Sequence, residues 1–317
     1  MTDMNPELRL APEGTVFDEY VAYVRERHRI WELRSLGLPA PWTRSPILGT
    51  KKFTNDFRVL DTGSQYVLRM VQDVEDPIDV VLRAFLYRFT NLPEPWEAYR
   101  EEFGRWPEIR DVGGRLDDFL RRYAEGASIL NSAYVIAPPS SARWTGVPRI
   151  EWLLWMIRNA FLPGGEFEVD PYVADPASTP AERHAILTKV PRCGDFLGLQ
   201  VVTDIGYSDL LPSDEDEFVV PGPGSTKGLA ALGRATRRET AISEIRSIHS
   251  EIRSTVVLDV RGTPRPLSLM DVQNTLCEFS KYHRLASATG TSRKYDPAAG
   301  APLSTVHTDP SYPNHWS

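Results

Sequence analysis

Apolar residues recur at helical spacing in one segment after another, and strand-like and helix-like segments do not alternate anywhere along the chain. A parallel sheet needs such alternation, because each crossover consumes a helix between two strands. A doubly wound α/β fold is therefore not expected, and the pattern reads as mainly α with at most a small hairpin. Residues 16–36 place Phe17, Tyr20, Val24, Ile30 and Leu33 on one face, and Gly37 and Pro39 end that helix. The three prolines of "GLPAPWTRSPIL" mark an ordered loop with Trp42 as its packing anchor. Amphipathic helices are expected over "NDFRVLDTGSQYVLRMVQD" and, started by Asp76-Pro77, over "DPIDVVLRAFLYRFTNL".

Helical character continues through "PWEAYREEF" and "RLDDFLRRYAEG", followed by a bent apolar segment, "SAYVIAPP". Residues 149–162, 181–211, the stretch near 227–253 and 269–286 read as further helices, and "VVLDVR" at 256–261 is the best strand candidate. The expected organisation is an N-terminal arm over 1–15, a helical catalytic domain over 16–290 in one body or two lobes, and an extended C-terminal tail over 291–317.

With 317 residues, 41% of them hydrophobic and 25% charged, the chain can bury a core without a disulfide or metal staple. Its two cysteines, Cys193 and Cys277, form no metal-binding spacing, and its six histidines form no H-x-x-x-H or H-E-x-x-H pattern. No metal and no cofactor are expected. The polar N-terminus lacks the form of a secretory signal, and the apolar run "WLLWMIRNAFL" breaks at Arg158 and Asn159. A cytoplasmic protein without membrane contact is the expectation, and no protein partner is inferred. The net charge of −7 excludes indiscriminate coating of nucleic acid but permits a local basic face.

Four features point toward chemistry, each with a structural reading beside it. In "PGPGSTKGLAAL", Gly222 and Gly224 open a helix whose backbone N–H groups can hold a DNA phosphate, with Lys227 close by. An ordinary loop before a helix accounts for the same residues. The order G-x-x-x-x-G-K-[ST] is missing, so kinase activity is not supported. In "SLMDVQNTLCEFSKYHR", Asp271, Asn274, Glu278 and Lys281 form one polar stripe, with Cys277, Tyr282 and Arg284 alongside. A solvated face with an i,i+3 Glu–Lys pair is the alternative.

In "LQVVTDIGYSDLL", Gln200, Asp204 and Tyr207 share a face. A carboxylate set in an apolar helix must be paired or have its pKa raised. That suits a general base or a stabiliser of positive charge, and equally a structural Asp. In "KKFTNDFRVLDTGSQY", Asn55, Arg58, Asp61 and Thr62 recur at helical spacing, and Arg58 or the Lys51-Lys52 pair is placed to meet phosphate.

The order of "RHRI", "GLPAPWTRSPIL", "KKFTNDFRVLD", "FLYRFTN", "NSAYVI", "FLGLQVVTDIGYSDL", "DEFVVPGPGSTKG" and "TLCEFSKYHR" resembles the α-glutamyl/putrescinyl thymine pyrophosphorylase family. That family is similar to the helical domain of 5-hydroxymethyl-deoxyuridine DNA kinases, and the resemblance runs from about residue 17 to 296. It implies a DNA-glycosylase-like helical fold with a helix–hairpin–helix-like Gly-Pro-Gly turn, and DNA containing modified pyrimidines as the partner. It carries family importance onto Asn55, Arg58, Asp61, Asp204, Tyr207, Gly222, Gly224, Cys277, Glu278, Lys281, Tyr282 and Arg284. Lys227 lies three residues after Gly224, one further than in lysine-nucleophile glycosylases, which argues against a Schiff-base role.

Three activities follow as expectations. The first, preferred because no kinase motif accompanies the helices, is a glycosylase. It flips out and excises a bulky 5-substituted pyrimidine, with Asp204 or Glu278 at the sugar and Tyr207 or Tyr282 on the base. The second is a transferase joining an amino acid or polyamine to pyrophosphorylated 5-hydroxymethyluracil in DNA. There Lys281 and Arg284 hold the leaving group and Glu278 acts as base, while Cys277 either adds to the ring or, the commoner case for a buried thiol, simply packs. The third is a non-catalytic reader of modified DNA.

Overall fold

The computed structural model describes residues 8–131, 141–167, 169–287 and 310–316. The mainly helical expectation holds, and the sheet among the described residues is one two-stranded hairpin. In chain order the helices are α1 (Val16–Ser35), α2 (Pro46–Thr50), α3 (Thr62–Val71), α4 (Pro77–Thr90), α5 (Glu94–Phe103), α6 (Arg115–Gly126) and α7 (Arg149–Phe161). They continue with α8 (Asp170–Val173), α9 (Pro180–Leu187), α10 (Asp195–Ile205), α11 (Pro223–Ala231), α12 (Arg238–Arg253) and α13 (Leu269–Ala286). Strands β1 (Val257–Val260) and β2 (Thr263–Pro266) pair antiparallel through a turn at Arg261 and Gly262, both at positive φ.

Local chemistry sets many of these starts. Thr15 and Asp18 form a reciprocal capping box on α1, and Ser268 and Asp271 form another on α13. Asp76 accepts from the Ile78 N–H at 3.1 Å, with Pro77 as the first residue of α4. Helix α4 is buried on nearly every side, with Asp79 and Arg83 enclosed among its apolar residues.

The chain divides into two compact units, residues 1–65 with 215–311 and residues 66–214 with 312–317. In the first, α13 is the central element, packed on α11, α12, α1 and α2. Tyr20 and Tyr23 of α1 meet Phe279 of α13 with ring centroids 5.2 and 5.8 Å apart. Helix α11 lies so close to α13 that a Cβ at Gly224 would collide with the Cys277 sulfur, and one at Gly228 with the Leu276 carbonyl. These glycines therefore serve close helix packing. In the second unit α4 packs against α10, α10 against α9, and α6 against α7. Phe85 stacks on Phe89 at 4.1 Å and meets Phe161 edge-on at 5.2 Å.

Several expectations are corrected. Residues 55–61 are not helical: they form an extended stretch and a 3₁₀ turn at Arg58–Leu60, and α3 begins only at Thr62. The helical spacing of Asn55, Arg58 and Asp61 misleads because their polar groups bond local backbone instead, Asn55 Nδ2 to Leu60 O and Asp61 Oδ1 from Asn55 N. Residues 181–211 are two helices, interrupted where Pro191 follows α9 and Arg192 takes a positive φ of 68°. Trp42 is only half-buried, its indole N–H bonded to Leu38 O at 2.7 Å and its ring under Arg34.

The helix–hairpin–helix expectation is not met either. Residues 206–222 carry turns and bends, so no helix precedes Gly222 to form the first arm of such a motif. At the C-terminus, Ser311 exchanges two 2.8 Å hydrogen bonds with Gln65, and Trp316 is buried. The described part of the tail is thus docked rather than extended on the surface. "SAYVIAPP" and most of 291–317 lie outside the described residues.

Candidate functional site

In the first unit the polar stripe of α13 is not a solvated face. It binds the backbone of residues 52–58 one turn at a time. Asp271, 1% exposed, accepts from the Arg58 N–H at 2.8 Å. One turn on, Asn274 Nδ2 donates to Asn55 O at 3.0 Å. Glu278 Oε2 then accepts from Thr54 N–H at 3.1 Å and from Lys281 Nζ at 3.0 Å. Lys281 donates to Lys52 O and sits 4.2 Å from the Phe53 ring centroid. An irregular segment cannot satisfy its own backbone groups, so the helix supplies the partners.

Beneath this seam lies a cluster of ionisable groups. Arg27 of α1 donates to Thr54 O at 2.8 Å and Asn55 Oδ1 at 2.6 Å, and its Nη1 is buried without a partner. Asp56 is 2% exposed, and its Oδ2 also lacks a partner. Burial pushes the Asp56 carboxyl well above the usual carboxylate range, against the pull of Arg27. Asp61 keeps some exposed surface as a residue, yet its carboxyl is enclosed by protein, and desolvation raises it to about 7. Asp271 is raised to about 6, again mainly by burial. Among the described residues no group of His, Cys, Asp and Glu side chains has an arrangement that could hold a metal ion.

The neighbouring candidates differ in what they can do. Cys277 is pushed up to about 11 by burial and by Glu278, so its thiol carries almost no thiolate at neutral pH. That speaks against addition to a pyrimidine ring and for packing against Gly224. Tyr282 is 0% exposed, its hydroxyl donating to Leu8 O at 2.9 Å and accepting from Leu10 N–H at 3.1 Å. Its ring packs on Tyr23 and Phe279, so no face remains for a base. Arg58 is 3% exposed, which removes it from any phosphate surface.

Gly222 caps α11, its N–H donating to Ser225 Oγ at 2.8 Å. Lys227 and Arg284 are exposed. Together with exposed Lys52 and half-buried Lys281, they give this unit solvent-reachable cations.

In the second unit Gln200 and Asp204 lie one turn apart on α10, while Tyr207 sits on the turn after the helix. Asp204 is completely buried and forms a two-pronged ion pair with Arg88 of α4, Oδ1 to Nη2 at 2.8 Å and Oδ2 to Nε. The embedded carboxylate is therefore paired by a guanidinium. Arg88, within the quoted segment "FLYRFTN", was not singled out by sequence, nor were Arg27 and Asp56. Only an arginine in an otherwise apolar helix hinted at the first, and nothing in spacing marked the other two.

Among the described residues no helix is long and apolar enough to cross a membrane. Comparison with known proteins gives a coherent result. The family model described as "5-hmdU DNA kinase, helical domain" matches residues 14–292. A 5-hmdU DNA kinase of Bacillus phage SP10 is 27% identical over 323 residues, covering 94% of this chain and 49% of the phage protein. The chain thus spans about half the length of that curated relative. No solved structure matches it. The family match takes in nearly the whole chain, from the capping box of α1 to beyond the end of α13, and the chain belongs to the 5-hmdU DNA kinase helical-domain family.

Proposed function

We propose that this chain acts on DNA bearing bases derived from 5-hydroxymethyluracil. In this reading it is a group-transfer module of phage-type DNA hypermodification, not a glycosylase. The observation that carries the reading is the Glu278–Lys281 pair. It is a carboxylate and an ammonium 3.0 Å apart, fixed by the backbone of Lys52 and Thr54 and only partly buried. Glu278 Oε1 meets no hydrogen-bond partner among the described residues. A carboxylate beside a cation serves transfer onto an activated base. Glu278 takes a proton from the incoming amine as its nitrogen bonds to the 5-methylene carbon. The carbon–oxygen bond breaks, and pyrophosphate leaves with the electron pair toward Lys281 and Arg284. The similarity to a phage 5-hmdU DNA kinase supports a base of this kind as the target.

The glycosylase reading loses its main support with Asp204, since that carboxylate is completely buried and both of its oxygens are engaged by Arg88. The test is incubation with DNA containing pyrophosphorylated 5-hydroxymethyluracil and a panel of amines, followed by nucleoside mass spectrometry. A mass gain on the nucleoside that disappears in Lys281→Ala and Glu278→Gln is the expected result. Release of free base with alkali-labile sites would overturn the transfer reading in favour of excision.

A further inference from the structure

The second unit carries a feature that neither the polar stripe nor the Arg88–Asp204 pair uses. Helix α7 buries Trp152, Leu153, Leu154, Met156, Ile157, Ala160 and Phe161, but leaves Trp155 half-exposed. Just before α7, a 3₁₀ turn at Ala142–Trp144 brings Trp144 beside it, with ring centroids 5.2 Å apart and tilted by 58°. Phe167 closes the other side of Trp155, edge-on at 5.6 Å. The Arg143 guanidinium lies over both indoles, 4.8 Å from the Trp144 centroid and 4.5 Å from that of Trp155. A guanidinium stacked on an indole is held flat while its N–H edge stays available.

What marks Arg143 is an exposed guanidinium without a carboxylate partner among the described residues. Many arginines of this unit are matched with carboxylates, Arg88 with Asp204, Arg105 with Asp111, Arg121 with Glu151, Arg122 with Glu102 and Arg158 with Asp117, while buried Arg83 and Arg183 donate to backbone carbonyls. Arg143 is exposed and meets no carboxylate or carbonyl acceptor among the described residues. In a chain of net charge −7, an exposed guanidinium stacked on half-exposed indoles, with no carboxylate partner among the described residues, is out of character for a solvated surface.

We propose that Arg143 and Trp144, backed by Trp155 and Phe167, form a binding site for single-stranded DNA, the guanidinium taking a backbone phosphate and the Trp144 indole taking a base face. The chemistry asks for an anion attached to a flat ring, which is a nucleotide. It asks for an unpaired strand because the base faces of a duplex are already stacked on one another. This rests on the DNA-directed reading above.

The test is fluorescence anisotropy of the full chain with a labelled oligothymidine across a salt series. Arg143→Ala is expected to weaken binding roughly tenfold and to lower the slope of log affinity against log salt by about one. Trp144→Ala is expected to weaken binding roughly tenfold with the slope unchanged. Arg143→Lys should keep the slope but not the full affinity. Unchanged unfolding midpoints in the three variants tie any loss to the surface. If the wild type binds and the alanine variants bind equally well, this site is overturned while the DNA-directed reading stands. If the wild type binds no oligonucleotide and transfers nothing to DNA, both fall.

Discussion

The carboxylate of Asp271 joins two distant parts of the chain, accepting the Arg58 N–H at 2.8 Å while its other oxygen caps the start of its own helix through Ser268. One buried side chain thus sets both where α13 begins and where the irregular 52–58 segment lies. The Glu278–Lys281 pair depends on that segment for its backbone partners, so the geometry of the proposed site is fixed three turns away.

Asp271→Ala should therefore cost about 3 kcal/mol, combining a lost cap with a buried N–H left without its charged acceptor. Urea denaturation measures it. A loss under about 1 kcal/mol would mean that the segment is held by its other contacts.

Removing one side of the Arg88–Asp204 pair should destabilise the fold by about 3–5 kcal/mol, because the remaining charge stays buried and unmatched. Asp204→Leu combined with Arg88→Met should recover much of that loss. If Asp204→Asn folds as well as wild type yet is inactive, the residue is chemical rather than structural.

The raised carboxyls predict a pH dependence of stability. Asp61 is raised to about 7 and Asp271 to about 6 from an ordinary value of 3.8, so the folded state holds their protons where the unfolded chain has released them. Their contribution is complete below the unfolded value and is lost as pH rises through about 6 to 7. Denaturation at pH 5 and pH 8 should show a larger fall for wild type than for Asp61→Asn, which can still accept from Asn55 but does not titrate. Equal falls would count against a shared burial effect.

Gly228→Ala tests the α11–α13 contact. On an open helix this change would gain about 1 kcal/mol. Here the new Cβ meets the Leu276 carbonyl, and a loss of about 2–3 kcal/mol is expected, read as a lower melting temperature. A gain would show that the helices can separate at little cost.

How much of this was legible beforehand differs by level. The helix starts at Thr15, Asp76 and Ser268 lie close to where local sequence places them, because caps and prolines act over three or four residues. The strand at β1 and the span of α13 were readable from local pattern, whereas the pairing partner β2 was not. The 55–61 segment was misread because its polar residues recur at helical spacing, while their hydrogen bonds run to Leu60, Arg27 and α13.

Sequence alone determined the mainly helical class, the positions of most helices and the set of unusual polar residues on α10 and α13. Those depend on periodicity and capping, which are properties of neighbours along the chain. Tertiary structure alone decided what each polar residue does. Asp204 became half of an ion pair because α4 brings Arg88 to it, Cys277 became a packing thiol because Gly224 lies against it, and Glu278 with Lys281 became an anchored pair because residues 52–54 pass beside them. A side chain's role follows from its partners and burial, and those arise from residues tens to hundreds of positions away.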